Sequence, residues 1–264
     1  MESPDPSGNR KYRVFDPGGT IFKIVADPMR GQLALEVRDA EARQVKFAVV
    51  DLADGSCIYP GEWGSWWRGL SNLKFEFAVI HHFEDPSLPV HRGVEFIQLP
   101  EGNTLFKDSD GRVIGESEDG ILLDTGNGAH LFWEGSGVFR GVKDDAYEDL
   151  LTKCQFFQRK VEGLIRNPEF GWSAEIGDIL APALDNVIGE GASLSLETAT
   201  LAAWHTSNFQ GTLDSHLACV DSGYVQWNLT MEKGLSHLNP EPFFVLGEYV
   251  IWLEGRMRLA WRKF

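Results

Sequence analysis

Turns dominate this chain. Short apolar runs alternate with clusters of Gly, Asp, Asn and Pro, and this punctuation constrains the fold more than any other feature. Thr20–Ala26 (TIFKIVA) enters a turn at Asp27–Gly31, and Gln32–Arg38 (QLALEVR) returns. Gln44–Tyr59 repeats the plan around Asp51–Gly55, where Asp54-Gly55 suits a tight hairpin because Gly accepts positive φ without steric cost. Gly93–Lys107 turns at Leu99–Asn103, and Gly120–Trp133 turns at Thr125–Gly128. Each unit ends near an aromatic: Tyr59, Phe106 or Trp133. A lone hairpin cannot bury its apolar face, but stacked neighbours can. The expected fold is therefore mainly all-β and β-propeller-like, with about five or six irregular blades.

The middle of the chain departs from this pattern. Tyr147, Leu150, Leu151, Cys154, Phe157 and Val161 fall at helical spacing, although Gln155–Val161 also suits a strand. Ser173–Ile188 carries a second helical stripe, with Ser173 placed as its N-cap and Pro182 as a kink. The expected organisation is a disordered tail over 1–12 and one propeller-like domain over 13–264, with a helical insertion at about 144–190. Strands resume after Ser193 and continue to Phe264, so a last strand paired with N-terminal strands would close a ring.

Composition narrows the function. The 264 residues include 39 Asp and Glu against 24 Lys and Arg, a formal charge of −15. Such a surface repels phosphate backbones and anionic lipid, which argues against nucleic-acid or membrane partners. Cys57, Cys154 and Cys219 are scattered and match no metal spacing, consistent with a reducing, cytoplasmic compartment. The N-terminus has no apolar core of a secretory signal. The chain contains no G-x-S-x-G elbow, P-loop, G-x-G-x-x-G, H-E-x-x-H or C-x-x-C. No cofactor and no metal is assigned.

Two stretches carry family resemblances. VVDLADGSCIY and LLDTGNGAHLFW resemble the blade repeat of quinoprotein-like propellers over about a third of the chain. LPEGNTLFK lacks that repeat's Asp and terminal Trp, and no quinone-binding residues accompany it. Trp66-Trp67-x-Gly69, the run from Glu84 to Gly93 (EDPSLPxHxG) and Asn239–Phe244 (NPEPFF) are similar to a bacterial domain-of-unknown-function family. That resemblance implies a fold and no activity.

The densest polar cluster is His81, His82, Glu84 and Asp85, followed by His91. Imidazole and carboxylate together suit acid–base work or metal binding. On a strand His81 and His82 point to opposite faces, so at most one joins His91. Trp63, Trp66 and Trp67 either stack on a flat ligand or seal one blade against the next. The candidate binding loop is therefore Trp66, Trp67, His82, Glu84, Asp85 and His91. The expected function is a non-enzymatic scaffold, monomeric or weakly oligomeric, for a small-molecule ligand or protein partner. The alternative is a hydrolase of carbohydrate or small esters with its site near His82, Asp85 and His91.

Overall fold

The computed structural model describes residues 2–3, 12–59, 64–85, 88–126, 130–134, 137–184, 186–239 and 241–264. Residues 4–11, most of the expected tail, lie outside the described residues, as do Trp63 and Pro240. The chain divides into two compact units, Pro17–Leu164 on one hand and Met1–Asp16 with Ile165–Phe264 on the other.

The described residues are mostly strand, arranged in antiparallel sheets, none of which closes on itself. Strands β1 (Glu2–Ser3) and β2 (Tyr12–Phe15) come first. The first sheet follows, with β3 (Thr20–Asp27), β4 (Gln32–Asp39), β5 (Gln44–Asp51) and the short β6 (Cys57–Ile58) and β7 (Gly64–Ser65). The second is a meander of β8 (Arg68–Lys74), β9 (Phe77–Asp85), β10 (Leu88–Gln98) and β11 (Thr104–Asp108). The third is β12 (Arg112–Glu116), β13 (Ile121–Asp124), β14 (His130–Trp133) and β15 (Phe139–Val142), followed by α1 (Asp144–Leu164). Short β16 (Ile165–Arg166) and β17 (Glu169–Phe170) lead to α2 (Ala174–Leu180). The fourth sheet joins β17 to β18 (Ala192–Ser195), β19 (Ala199–Ser207), β20 (Leu213–Asp221) and β21 (Tyr224–Leu235). The fifth contains β22 (Phe244–Leu246), β23 (Tyr249–Glu254) and β24 (Arg258–Lys263), flanked by β16 on one side and by β2 and β1 on the other.

In the unit Pro17–Leu164 the middle sheet is buried on both faces. Along β9, Ala78 and Ile80 pack on Ala34, Phe47 and Val49 of the first sheet. Phe77 and Val79 pack on Ile121, Leu123 and Trp133 of the third. This explains why FAVI is a continuous apolar run instead of an alternating one. The other face of the third sheet, at Leu122 and Phe132, is covered by Leu150 and Cys154 of α1. Those two, with Phe157, recur at helical spacing, so Gln155–Val161 is helix and not strand.

In the other unit the fourth sheet packs one face on the fifth through Leu201, Leu217 and Trp227 against Val245, Val250 and Trp252. Its second face lies under Ile176 and Leu180 of α2. Ser173 caps α2 by accepting a hydrogen bond from the Ile176 N–H. The helix stops at Leu180, short of the expected Ile188. Pro182 is accommodated in a terminal 3-10 turn, Ala181–Ala183, because proline has no N–H to continue the α ladder. The expected pairing of the last strand with an N-terminal one is present: Arg13, Val14 and Phe15 of β2 oppose Trp261, Ala260 and Leu259 of β24. No helix among the described residues is long and apolar enough to cross a membrane.

Trp133, at the end of β14, packs between the second and third sheets. It is fully buried, with Phe75, Phe77 and Phe96 edge-on to its ring. Tyr59 is 44% exposed, with Lys46 Nζ 5.1 Å from its ring centre. Trp133→Ala is expected to cost about 3–5 kcal/mol of stability in urea denaturation. Trp67→Ala, at a residue 41% exposed, is expected to cost under about 1 kcal/mol. Equal losses would contradict the packing described.

Candidate functional site

The cluster begins at the open edge of β8, where the peptide of Leu70 is held by side chains from the first sheet. Its N–H donates to Glu36 Oε2 at 2.8 Å, and its C=O accepts from Lys23 Nζ at 2.7 Å. A backbone group at a sheet edge needs such partners when it is buried. Glu36 is 1% exposed, and its other oxygen accepts from Arg38 Nε at 2.7 Å and pairs with Arg38 Nη2 at 2.6 Å. The Arg38 guanidinium also lies over two rings, 4.3 Å from the centre of Phe22 and 4.6 Å from that of Trp66. Such cation–π contacts strengthen as the cation loses water. Trp66, half-buried, is thus fixed on a buried ion pair.

His81 lies one residue further along β9 from Ile80, opposite Gly69 of β8. A Cβ on Gly69 would lie 2.4 Å from His81 Nε2, so only glycine admits the ring there. That close approach accounts for the glycine of the Trp-Trp-x-Gly motif. The imidazole stacks on His91, with centroids 3.6 Å apart and planes at 13°, and Phe83 stands edge-on to both rings.

A β-bulge sets which histidine His91 meets. Val94 opposes His81, yet His91 opposes Phe83, so β10 spends one extra residue there. Without that residue His91 would oppose Glu84 and face away from His81. Gly93, at φ +85°, supplies the left-handed conformation within the bulge. The parity change brings His91 onto the face of His81.

His82 takes the opposite face. Its Nε2 lies 3.4 Å from Glu95 Oε2, which Arg68 Nη2 also approaches at 2.9 Å, while the Thr104 hydroxyl donates to Glu95 Oε1 at 2.8 Å. His82, with the Thr104 hydroxyl and the Arg68 guanidinium, holds the Glu95 carboxyl down at about 2, against the opposing effect of its burial.

The structure therefore divides the sequence-derived set. Trp66 and His91 lie with Arg38 and His81; His82 lies with Glu95 and Arg68. Trp67 is 41% exposed, and its carbonyl accepts from the Phe83 N–H at 2.9 Å. Glu84 and Asp85 end β9, and their side chains lie outside the described residues. Among the described residues no three His, Cys, Asp or Glu gather where a metal ion could be held. The sequence reading missed Glu36, Arg38, Lys23 and Glu95; it named His81 in the polar cluster but placed His82 in the candidate loop instead. In β4 the only signal was two charged residues, Glu36 and Arg38, within a strand whose Leu33 to Arg38 are all buried.

The electrostatics are cationic. Lys23 and Arg38 together carry one charge more than Glu36 offsets. Desolvation lowers the Lys23 pKa, and burial together with Lys23 lowers that of His91. Burial, reinforced by His91, Lys23, His82 and Arg38, pushes His81 down to about 3. His81 is thus neutral at pH 7, 6% exposed, and neither ring nitrogen has a hydrogen-bond partner among the described residues.

Residues 26–106 match the family described as "Domain of unknown function (DUF4905)". The matched segment holds Glu36, Arg38, Trp66, His81 and His91 and covers under a third of the chain; Asn239–Phe244 lies beyond it. No curated protein sequence matches. Among solved structures, the chain is similar to the uncharacterized protein lmo1340 from Listeria monocytogenes EGD-e. The identity is 8% and the TM-score 0.32, over 89% of this chain and 75% of that one. It is also similar to TolB from Acinetobacter baumannii, at 10% identity and TM-score 0.27, over 98% of this chain and 58% of TolB. Both likenesses are too loose to assign a fold.

The lowered pKa of His81 ties stability to pH. Below its unfolded pKa near 6.5, the unfolded chain takes up a proton that the folded chain refuses until about pH 3. Stability contributed by the neutral ring is complete above pH 6.5 and falls by about 1.4 kcal/mol per pH unit as pH drops through that window. His81→Leu is expected to flatten this slope between pH 6 and pH 4, read as the urea midpoint against pH. An unchanged slope would show that His81 is not the titrating group.

Proposed function

We propose that this chain is a β-propeller-like, non-enzymatic binding scaffold whose ligand or partner docks over Trp66, Arg38, His81 and His91. Support for a propeller-like array comes from separate antiparallel meanders stacked face to face within each unit. The pairing of β2 with β24, in which a strand from near residue 12 completes the last sheet, points the same way. Helices α1 and α2 each cover a sheet face that an uninterrupted propeller would give to another blade.

One observation carries the binding reading: a buried neutral imidazole, unpartnered at both nitrogens, under an exposed imidazole and beside an aromatic-clamped guanidinium. An unsatisfied buried polar group costs about 1–3 kcal/mol. A ligand group that displaced the stacked His91 ring and bonded a His81 nitrogen would recover that cost on binding.

A thermal-shift screen of small polar and aromatic compounds tests this, since a ligand of the folded state raises Tm by mass action. At least one compound is expected to raise Tm in the wild type, with the shift lost in Trp66→Ala and His91→Ala. Shifts that survive both substitutions, or no shift from any compound, would count against the site.

A hydrolase is the second reading, favoured only by the contact of His82 with Glu95, which resembles a carboxylate-oriented base. Burial pushes the Cys57 thiol up to about 11 and raises that of Cys154, so neither is a thiolate nucleophile at neutral pH. Turnover of p-nitrophenyl esters or glycosides that His82→Asn abolishes would establish the hydrolase in place of the scaffold.

A further inference from the structure

The excess positive charge of the His81 cluster resides on one side chain. Arg38 is fully engaged: its Nε and Nη2 both meet Glu36 Oε1, and its guanidinium lies over the rings of Phe22 and Trp66. Glu36 Oε2 is engaged by the Leu70 N–H. Lys23 differs. One of its three N–H groups donates to the Leu70 C=O, and the other two have no partner among the described residues.

A second β-bulge puts Lys23 there. Ile21 opposes Val37 and Lys23 opposes Glu36, so Phe22 is the extra residue of β3. An ammonium and an apolar ring thereby stand side by side at the cluster, Phe22 at 65% exposure. Burial lowers the pKa of both His81 and His91, and Lys23 adds to it, so the lysine charge reaches both imidazoles. The His91 ring is exposed and makes no hydrogen bond among the described residues, so displacing it breaks ring contacts only. Three unmet requirements therefore coincide: an uncompensated ammonium, a buried imidazole N–H without an acceptor, and an aromatic ring left in water.

We propose that the ligand of this site is a small aromatic monocarboxylate, of the class of benzoate. The proposal rests on the docking reading above and names its ligand. The carboxylate takes the place of the His91 ring beside His81 and accepts from the His81 N–H and from Lys23 Nζ, while its ring packs on Phe22. Charge decides the class. A carboxylate carries the one negative charge that Lys23 leaves uncompensated. A phosphate monoester carries about −1.5 to −2 at neutral pH, overshoots that charge, and is repelled more strongly by the acidic surface. A neutral amide of the same shape leaves the ammonium unmet, and an amine of similar size is repelled by it.

Isothermal titration of the whole chain with benzoate, benzamide, benzylamine and phenyl phosphate tests the proposal. Benzoate is expected to bind saturably and at least about tenfold more tightly than each of the other three. Lys23→Gln keeps an N–H for the Leu70 C=O but removes the charge, and should abolish that preference; Lys23→Arg should retain it. Histidine ring signals in NMR should show His91 leaving its stack as benzoate saturates. Circular dichroism reports whether each variant folds; if Lys23→Gln does not, the wild-type ranking of the four probes decides alone. Benzamide or phenyl phosphate that binds as tightly as benzoate, or benzoate binding unchanged by Lys23→Gln, would overturn the carboxylate assignment. If such binding is lost in Trp66→Ala, the docking site itself stands. No benzoate binding up to about 10 mM would also overturn the assignment, whereas the docking reading falls only if the thermal-shift screen is silent as well.

Discussion

The buried carboxylate of Glu36 joins the first two sheets and determines where the candidate site sits. β8 is the last strand of its sheet, so one side of its backbone has no ladder partner. Glu36 and Lys23 supply that partner at Leu70, one taking the N–H and the other giving to the C=O. A buried carboxylate needs a counter-charge, and Arg38, two residues along the same strand face, provides it. Arg38 in turn needs its flat surfaces covered, and Phe22 and Trp66 cover them. The position of Trp66 is thus a consequence of how an open strand edge is satisfied. Removing one member of such a buried set leaves a charge stranded, a far larger effect than breaking an exposed pair such as Arg92 and Asp110.

Much of the fold was legible because local chemistry dictates it. The hairpins at Asp27–Gly31, Asp51–Gly55 and Leu99–Asn103 follow from turn residues that accept the required dihedrals. The Ser173 cap and the limit set by Pro182 are equally local. Strands β12 and β15 were not legible: RVIGE and FRGV are short, charged and interrupted by glycine, and they are strands only because β13 and β14 pair with them. The apolar run of β9 was ambiguous for a different reason. Burial on both faces erases the alternation that identifies a strand.

The site was half legible. Adjacent histidines on a strand diverge, so only one of His81 and His82 could meet His91. Which one depends on the count of residues between His91 and Val94, and the bulge at Gly93 changes that count by one. No periodicity within β9 or β10 reveals it, because both strands keep their own alternation on either side. Glu36 and Arg38 were hidden for a related reason. Charged residues two apart on a strand read as its solvated face, and they are buried here only because β8 offers an edge that needs them.

Overall charge and local field point in different directions in this protein, and the difference bears on what it can bind. A formal −15 governs long-range steering and disfavours polyanions as a class. At closer range the acids are mostly exposed or already paired, while Lys23 and Arg38 exceed Glu36 by one charge beside two imidazoles. Burial is the main cause of the lowered pKa values of His81 and His91, and Lys23 adds to both. A single small acidic group reaching His91 would enter favourable potential, whereas an extended anion would first cross the acidic surface. The contrast is between net charge and local field. It is a property of where the charges sit, since the same residues in a different order along β3 and β4 would keep the net charge and lose the field.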